Sequence, residues 1–413
     1  LAAPAVIWRQ AWELLETHRL EIPNSPASAT SVPVDLGLVA GTGLYSRALA
    51  RVRCWWPPDV QPQVGTRRLQ YVDLARGLFV LLMISSHAVG LSGVPDGTFL
   101  QSGWWLPRGW STPGFVMLAG FSVGVVTTHG RTILVRILLM RAWELVIVML
   151  ASNAILAVCR ELLDGDFGSV GMAEWVFRVI TLQRDMTISI VLLPIAVGLV
   201  AVAGVVAVHR RVPIPFLIAA LVAVNVGAWA AQDTFAASTS LQGSMWDAMT
   251  LWLCRYPLAP FASAATIGFA LGVIWRPLVR TVQIDSRIVG PLTLVSLIAM
   301  APLASVAPRP VFLSLDAMLE FLTILVLAVS LAAMQPMRVV SQGVAVLGRF
   351  SLMVFIVHRP MLHASDVLFR RFTIPATGRY VAMLAVSVGG SALLCLARAQ
   401  SPSIDRALKR MFL

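Results

Sequence analysis

From Tyr71 to Arg398 long apolar runs alternate with short breaks rich in polar residues, proline or glycine. The runs fall near 72–93, 112–128, 135–158, 186–208, 213–231, 250–275, 288–307, 311–334, 344–364 and 379–398. A helix needs about 20 apolar residues to cross the hydrocarbon core of a bilayer, and the runs are close to that length. The pattern predicts an all-α, polytopic transmembrane helix bundle of about ten spans. The segment MAEWVFRVITLQ at 172–183 is too polar to span and is expected at the membrane interface.

Residues 1–66 are richer in proline, serine and polar side chains and hold no spanning run. They read as a cytoplasmic extension, either a poorly ordered tail or a short amphipathic helix carrying Trp8, Trp12 and Leu15 on the membrane surface. No signal-peptide pattern is present, and Leu1 in place of Met leaves a trimmed chain open. The expected organisation is this extension, a transmembrane domain over 67–398 and a short basic cytoplasmic tail over 399–413.

Composition agrees with the pattern. Of 413 residues, 58% are hydrophobic and only 13% charged, and the mean hydropathy is +0.80. Soluble globular domains, disordered chains, fibres and disulfide scaffolds are excluded. The net charge of +12 is dispersed among apolar runs, which suits anionic lipid or a phosphorylated ligand and not nucleic acid. Cys54, Cys159, Cys254 and Cys395 lie far apart with no ligand spacing, so no metal site is expected.

Charge also orients the bundle. On a ten-helix path Arg67, Arg68, Arg131, Arg136, Arg210, Arg211, Arg276, Arg280, Arg287, Arg338, Arg406, Lys409 and Arg410 fall on one side. The positive-inside rule makes that side cytoplasmic, with both termini. The opposite loops hold Asp96, Glu161, Asp164, Asp166, Glu174, Asp233 and Asp247, with Arg370, Arg371 and Arg379 as exceptions.

A charged group within a span is costly unless paired or hydrated, and so is a functional candidate. In the first run, YVDLARGLFVLLMISSHAVG, Arg76 and His87 are eleven residues apart. At 100° per residue they share a helix face, about 16 Å apart along the axis. A cation at the inner boundary and an imidazole deep in the bilayer suit a ligand with a phosphate head and a long reactive arm, the shape of coenzyme A. Arginine holds phosphate bidentately, and histidine is the commonest general base near neutral pH. The alternatives are a topology anchor for Arg76 and a hydrogen-bonded packing residue for His87.

The same residues resemble a family. Arg-x10-His on the first span, with Asp73, Arg76 and Gly77 in YVDLARG, is similar to the hallmark of the acyltransferase-3 family of integral-membrane acyltransferases. TPGFVMLAGFSVG (112–124), with Ala119-Gly120-Phe121, resembles its second-helix segment. RTILVRILLMRAW (131–143) resembles its arginine-studded start of the third helix, and LGRFSLMVFIVHRP (347–360) its late motif, with His358 on the family histidine. The resemblance covers about 71–398 and extends to glucan succinyltransferases and heparan glucosaminide acetyltransferases around the first helix. Ser86 before His87 and Leu352 depart from the common pattern, and an esterase-like appended domain found in some members is not expected here. The resemblance implies acyl-CoA as donor and a glycan or glycolipid acceptor.

His358, nine residues into an outward-running ninth helix, is expected at nearly the depth of His87, so the two imidazoles could meet. The reading is a membrane acyltransferase of the acetyl or succinyl class in which His87 takes the proton from an acceptor hydroxyl, and His358 or Ser86 stabilises the oxyanion. Arg136, Arg141 and Arg349 are further candidates for the donor's phosphates, although lipid headgroups explain Arg136 equally well and Glu144 is a ready partner for Arg141. Asp316 and Glu320 could bind a sugar near the outer surface or pair with Arg255 or Arg309. Trp104 and Trp105 could stack on a glycan or belong to an interfacial belt. Acyl-CoA, the acceptor and membrane lipid are the expected partners, and self-association into a homo-oligomer is left open. The expected location is a bacterial cytoplasmic membrane. The rival reading is a transporter or flippase for a polar or anionic envelope precursor, which inverted repeats would favour, and none is visible in the chain.

Overall fold

In the computed structural model the described residues are 70–101, 111–126, 131–164, 189–208, 258–281, 315–334, 337–372 and 374–401, with isolated helical positions at 216, 219–220, 223, 291–292, 295–296 and 298. Their long elements are all α-helices: α1 (Gln70–Ser92), α2 (Ser111–Val126), α3 (Arg131–Asp164), α4 (Ser189–Val208), α5 (Leu258–Thr281), α6 (Leu315–Ala333), α7 (Arg338–Arg349), α8 (Ser351–Arg370) and α9 (Ala376–Gln400). The expected extension at 1–66, the segment at 172–183 and residues 402–413 of the tail lie outside the described residues.

Among those residues, four helices are long and apolar enough to cross a membrane: Gln70–Ser92, Val191–Val208, Ser351–Arg370 and Ala376–Gln400. Ser111–Val125, Phe261–Trp275 and Glu320–Ala333 are shorter apolar helices. Leu139, Trp143 and Ile147 stand exposed at four-residue intervals on α3, and Val381 and Leu393 are exposed on α9. Outward apolar faces of this kind suit lipid, where every backbone polar group must be satisfied within the helix.

α1 is the central element, packed against α2, α6, α7, α8 and α9. Asp73 in its first turn complements the positive end of the helix dipole. Gly93, in the left-handed region at φ 68, closes the other end because a side chain there would be strained. Leu74, Phe79 and Ile84 of α1 are fully buried with Met117 and Phe121 of α2 and Phe321 and Ile324 of α6.

Small residues let the backbones come together. Gly120 and Gly124 of α2 face Gly268 and Gly272 of α5, each pair one turn apart. A Cβ on any of the four would strike a backbone carbonyl oxygen of the facing helix, that of Ala265, Phe269, Met117 or Phe121 respectively. Lipid offers no hydrophobic drive between helices, so such close dispersion contacts carry the association. The numbering rises together along this seam, so α2 and α5 are parallel. Gly77 against Val344 and Gly348 against the Asp73 carbonyl make a second seam, in which α7 runs antiparallel to α1.

Two expectations change. The run at 344–364 is not one helix: α7 ends at Arg349, Phe350 leaves helical geometry (φ −106, ψ 26), and α8 starts at Ser351. Gly348, Arg349 and Ser351 interrupt the apolar run at the break, and Gly348 lies there against the α1 backbone at Asp73. The run at 135–158 lies inside the longer α3, which takes in Glu161 and Asp164, expected in a loop. At 1.5 Å per residue its 34 residues reach about 51 Å, beyond the roughly 30 Å hydrocarbon core.

Cross-contacts fix relative direction. The Arg349 guanidinium lies 5.5 Å and that of Arg398 lies 5.0 Å from the Phe350 ring, while Tyr380 meets Ser85 of α1. The start of α1, the α7–α8 break and the end of α9 therefore share one side of the bundle. The loop at 93–101 and the turn at 371–372 share the other.

Candidate active site

Four residues from α1 and α8 converge inside the bundle. The rings of His87 and His358 lie 5.6 Å apart, centroid to centroid, and 16° from parallel. Nη2 of Arg359 donates to Nδ1 of His87 at 3.1 Å. Nδ1 of His358 donates to the Val354 carbonyl at 2.9 Å, and the Phe355 ring stands edge-on to His358 at 6.3 Å. His358 is 2% exposed, and its Nε2 has no hydrogen-bond partner among the described residues. A buried polar atom without a partner is uncommon in a protein interior and calls for an explanation, and this one sits beside a second imidazole.

The helices bring these side chains together for local reasons. α1 and α8 run in the same direction from the side where Gly348 touches Asp73, so His87 and His358 rise to matching depths. Pro360 in α8 removes the N–H that would bond the Ile356 carbonyl one turn earlier, loosening the ladder beside His358 and Arg359.

Arg76 lies three turns from His87, toward the Gly348 side. Its Nη2 donates to Ser122 Oγ at 2.8 Å, and its Nη1 lies 3.3 Å from Asp73 Oδ1. Ser122 in turn donates to the Leu118 carbonyl at 2.6 Å, so its oxygen offers Arg76 a lone pair. Between the two levels runs a file of aromatic rings, Phe79 to Phe115 at 5.6 Å and Phe115 to Phe355 at 4.7 Å. Arg76 and His87 thus occupy the two levels that their spacing on α1 requires, one against α2 and the other against α8.

The remaining candidates are scattered. Ser86 is half-buried beside His87, and it is the neighbouring Ser85 that shares a 2.7 Å hydrogen bond with Tyr380. Arg136 is exposed on α3. Arg141 bonds Glu144 at 2.6 Å, the helix-face pairing that their spacing suggests. Arg349 is exposed and lies over the Phe350 ring. Glu320 was placed near the outer surface by its sequence position, yet it is 6% exposed. Its neighbour Phe321 meets Phe121 at 5.5 Å, at the level where Ser122 holds Arg76. α6 packs against α1 and α2, with Glu320 on a buried face. The side chain of Asp316, together with Trp104, Trp105, Arg255 and Arg309, lies outside the described residues. Among the described residues no group of three His, Cys, Asp or Glu is placed to hold a metal ion.

Arg359 and Ser122 were missed in the sequence. Arg359 is a charge inside a span, which by itself marks a candidate, but it stands next to His358 and was absorbed into that motif. Ser122 carried no signal, because serines bond their own helix in many apolar segments.

The acyltransferase-domain model of the acyltransferase-3 family matches residues 69–396. The chain belongs to that family. It is accordingly a multi-pass membrane protein and an acyltransferase, and the match nearly coincides with the 71–398 over which the motifs resemble the family. No curated protein and no solved structure matches the chain.

Proposed function

We propose that this membrane acyltransferase moves an acyl group of the acetyl or succinyl class from cytoplasmic acyl-CoA to a hydroxyl of a glycan or glycolipid on the outer side of a bacterial cytoplasmic membrane. The observation that carries the reading is the pair of imidazoles, His87 and His358, stacked in the interior about 16 Å from Arg76 along α1. Such a cluster suits proton transfer at a reacting carbonyl, and family membership supplies the reaction class.

In this reading Arg76 holds a phosphate of the donor at the cytoplasmic end, with Arg136, Arg141 and Arg349 as outlying cations that draw the anion in. The pantetheine arm spans the three turns to the histidines, past Phe79, Phe115 and Phe355. The acceptor hydroxyl loses its proton within the His87–His358 pair, a step that sequence alone assigns to His87. Trp104, Trp105 and Asp316 are proposed contacts of the sugar. Ten spans with both termini cytoplasmic complete the arrangement, in which donor and acceptor arrive from opposite sides.

The test is transfer by the purified protein in lipid nanodiscs, with labelled acetyl-CoA or succinyl-CoA and an envelope glycan fraction as acceptor. His87→Ala is expected to lower the rate by about 10² to 10⁴-fold while the protein still binds acyl-CoA. Transfer at near wild-type rate by His87→Ala would overturn the assignment. Movement of an intact glycolipid without acylation would point instead to a flippase.

A further inference from the structure

The hydrogen bonds around the two imidazoles give them opposite tautomers. A guanidinium has only donors, so the contact from Arg359 Nη2 requires a lone pair on Nδ1 of His87. In the neutral ring the proton is then on Nε2. A backbone carbonyl only accepts, so the contact from His358 Nδ1 to Val354 requires an N–H on Nδ1. In that ring Nε2 carries the lone pair, and it is one of the buried atoms with no partner among the described residues.

We propose that the two histidines divide the chemistry: His358 Nε2 is the general base, His87 Nε2–H is the donor that stabilises the oxyanion, and Arg359 is the positioning residue that fixes the tautomer of His87. With Nδ1 held by Arg359 and Nε2 protonated, His87 has no lone pair left to accept a proton. His358 has one, aimed away from its own helix. In a histidine that acts on a substrate, the hydrogen bond at one ring nitrogen decides what the other can do.

The inference rests on acyl transfer from a thioester to a hydroxyl, and the step balances without a further reactant. As the hydroxyl oxygen bonds to the carbonyl carbon, its proton passes to His358 Nε2. The carbonyl electron pair moves onto oxygen, which accepts the His87 Nε2–H bond. Collapse of the intermediate breaks the carbon–sulfur bond, and the proton on His358 passes to the leaving thiolate. Ester and thiol are formed, and both rings return to their starting tautomers.

The experiment uses the whole chain in nanodiscs with acetyl-CoA or succinyl-CoA, whichever the wild type consumes. Glutamine carries an amide N–H near the position of Nε2 but offers no base of comparable strength. His87→Gln should therefore stay within roughly tenfold of wild type, whereas His87→Leu loses about 10² to 10³-fold. His358→Gln should fall by about 10² to 10⁴-fold, as far as His358→Leu. Arg359→Lys, which keeps a donor, should recover most of the rate lost in Arg359→Met. The reverse order of the two glutamine variants, or equal losses in both, would overturn the division. Nitrogen-15 spectra of protein labelled at its six histidines, assigned by difference from the glutamine variants, read the tautomers without turnover. The expected result is a lone-pair Nδ1 in His87, lost in Arg359→Met, and a protonated Nδ1 in His358. A protonated Nδ1 in wild-type His87 would sink the proposal even if acyl transfer is observed. Absence of thioester consumption by the wild type would instead fault the function, leaving the spectra to decide the tautomers.

Discussion

Arg76 of α1 donates a 2.8 Å hydrogen bond to Ser122 of α2, so the cation proposed to hold the donor's phosphate also ties two helices together. The two roles separate by mutation. Arg76→Ala removes a charged hydrogen-bond donor and is expected to weaken acyl-CoA binding by about 1.5 to 3 kcal/mol. Ser122→Ala removes only the interhelical contact and should leave the affinity within a few-fold. Calorimetric titration of acyl-CoA into both variants checks this, and equal losses would reassign Arg76 to packing.

The glycine seam between α2 and α5 predicts a sharp difference between identical substitutions. A methyl group at Gly120 or Gly268 meets a backbone carbonyl, which cannot yield without separating the helices, whereas Gly204 on α4 has nothing within 4 Å of its would-be Cβ. Gly120→Ala and Gly268→Ala should each cost about 1 to 3 kcal/mol through overpacking. Gly204→Ala should be neutral or slightly stabilising, since alanine is the better helix former. Unfolding temperatures in detergent would show the contrast, and comparable losses at all three positions would mean that the seam is looser than described.

Ser85 and Tyr380 join α1 to α9 through one buried 2.7 Å hydrogen bond. A double-mutant cycle of Ser85→Ala and Tyr380→Phe should return a coupling of about 0.6 kcal/mol, and no more than roughly 1.7, the range found for hydrogen bonds between membrane helices. Steric trapping or chemical unfolding in bicelles measures it. Strict additivity would mean that the two hydroxyls do not depend on each other.

The opposite ends of α1 and α9 predict sidedness. In a variant lacking Cys54, Cys159, Cys254 and Cys395, Asp96→Cys, on an exposed loop, should react with an impermeant thiol reagent added to intact cells. Gln400→Cys, exposed at the end of α9, should react only after the membrane is opened. Labelling of position 400 from outside would reverse the bundle and remove the cytoplasmic route for the donor.

Much of this was determined by the sequence alone, because the relevant physics is local. An apolar run of about 20 residues crosses lipid as a helix, because each backbone N–H and C=O then finds a partner within its own segment. Arg76 and His87 follow from one helix and its rise per residue, so their separation needed no fold. The motifs in 71–398 were enough to show the family, and the pairing of Arg141 with Glu144 could be read from a three-residue spacing.

The tertiary structure alone decided what depends on two segments meeting. Gly348, Arg349 and Ser351 around Phe350 offer a local hint of a break, but that the chain turns back there with Gly348 on the Asp73 backbone is a matter of two segments meeting. Glu320 is interior because of how α6 packs on α1 and α2, which no spacing along α6 encodes. The tautomers are the clearest case. Sequence offers a histidine at each position, but Arg359 reaches His87 across 272 residues of chain, and it is this contact that determines which ring nitrogen keeps a lone pair.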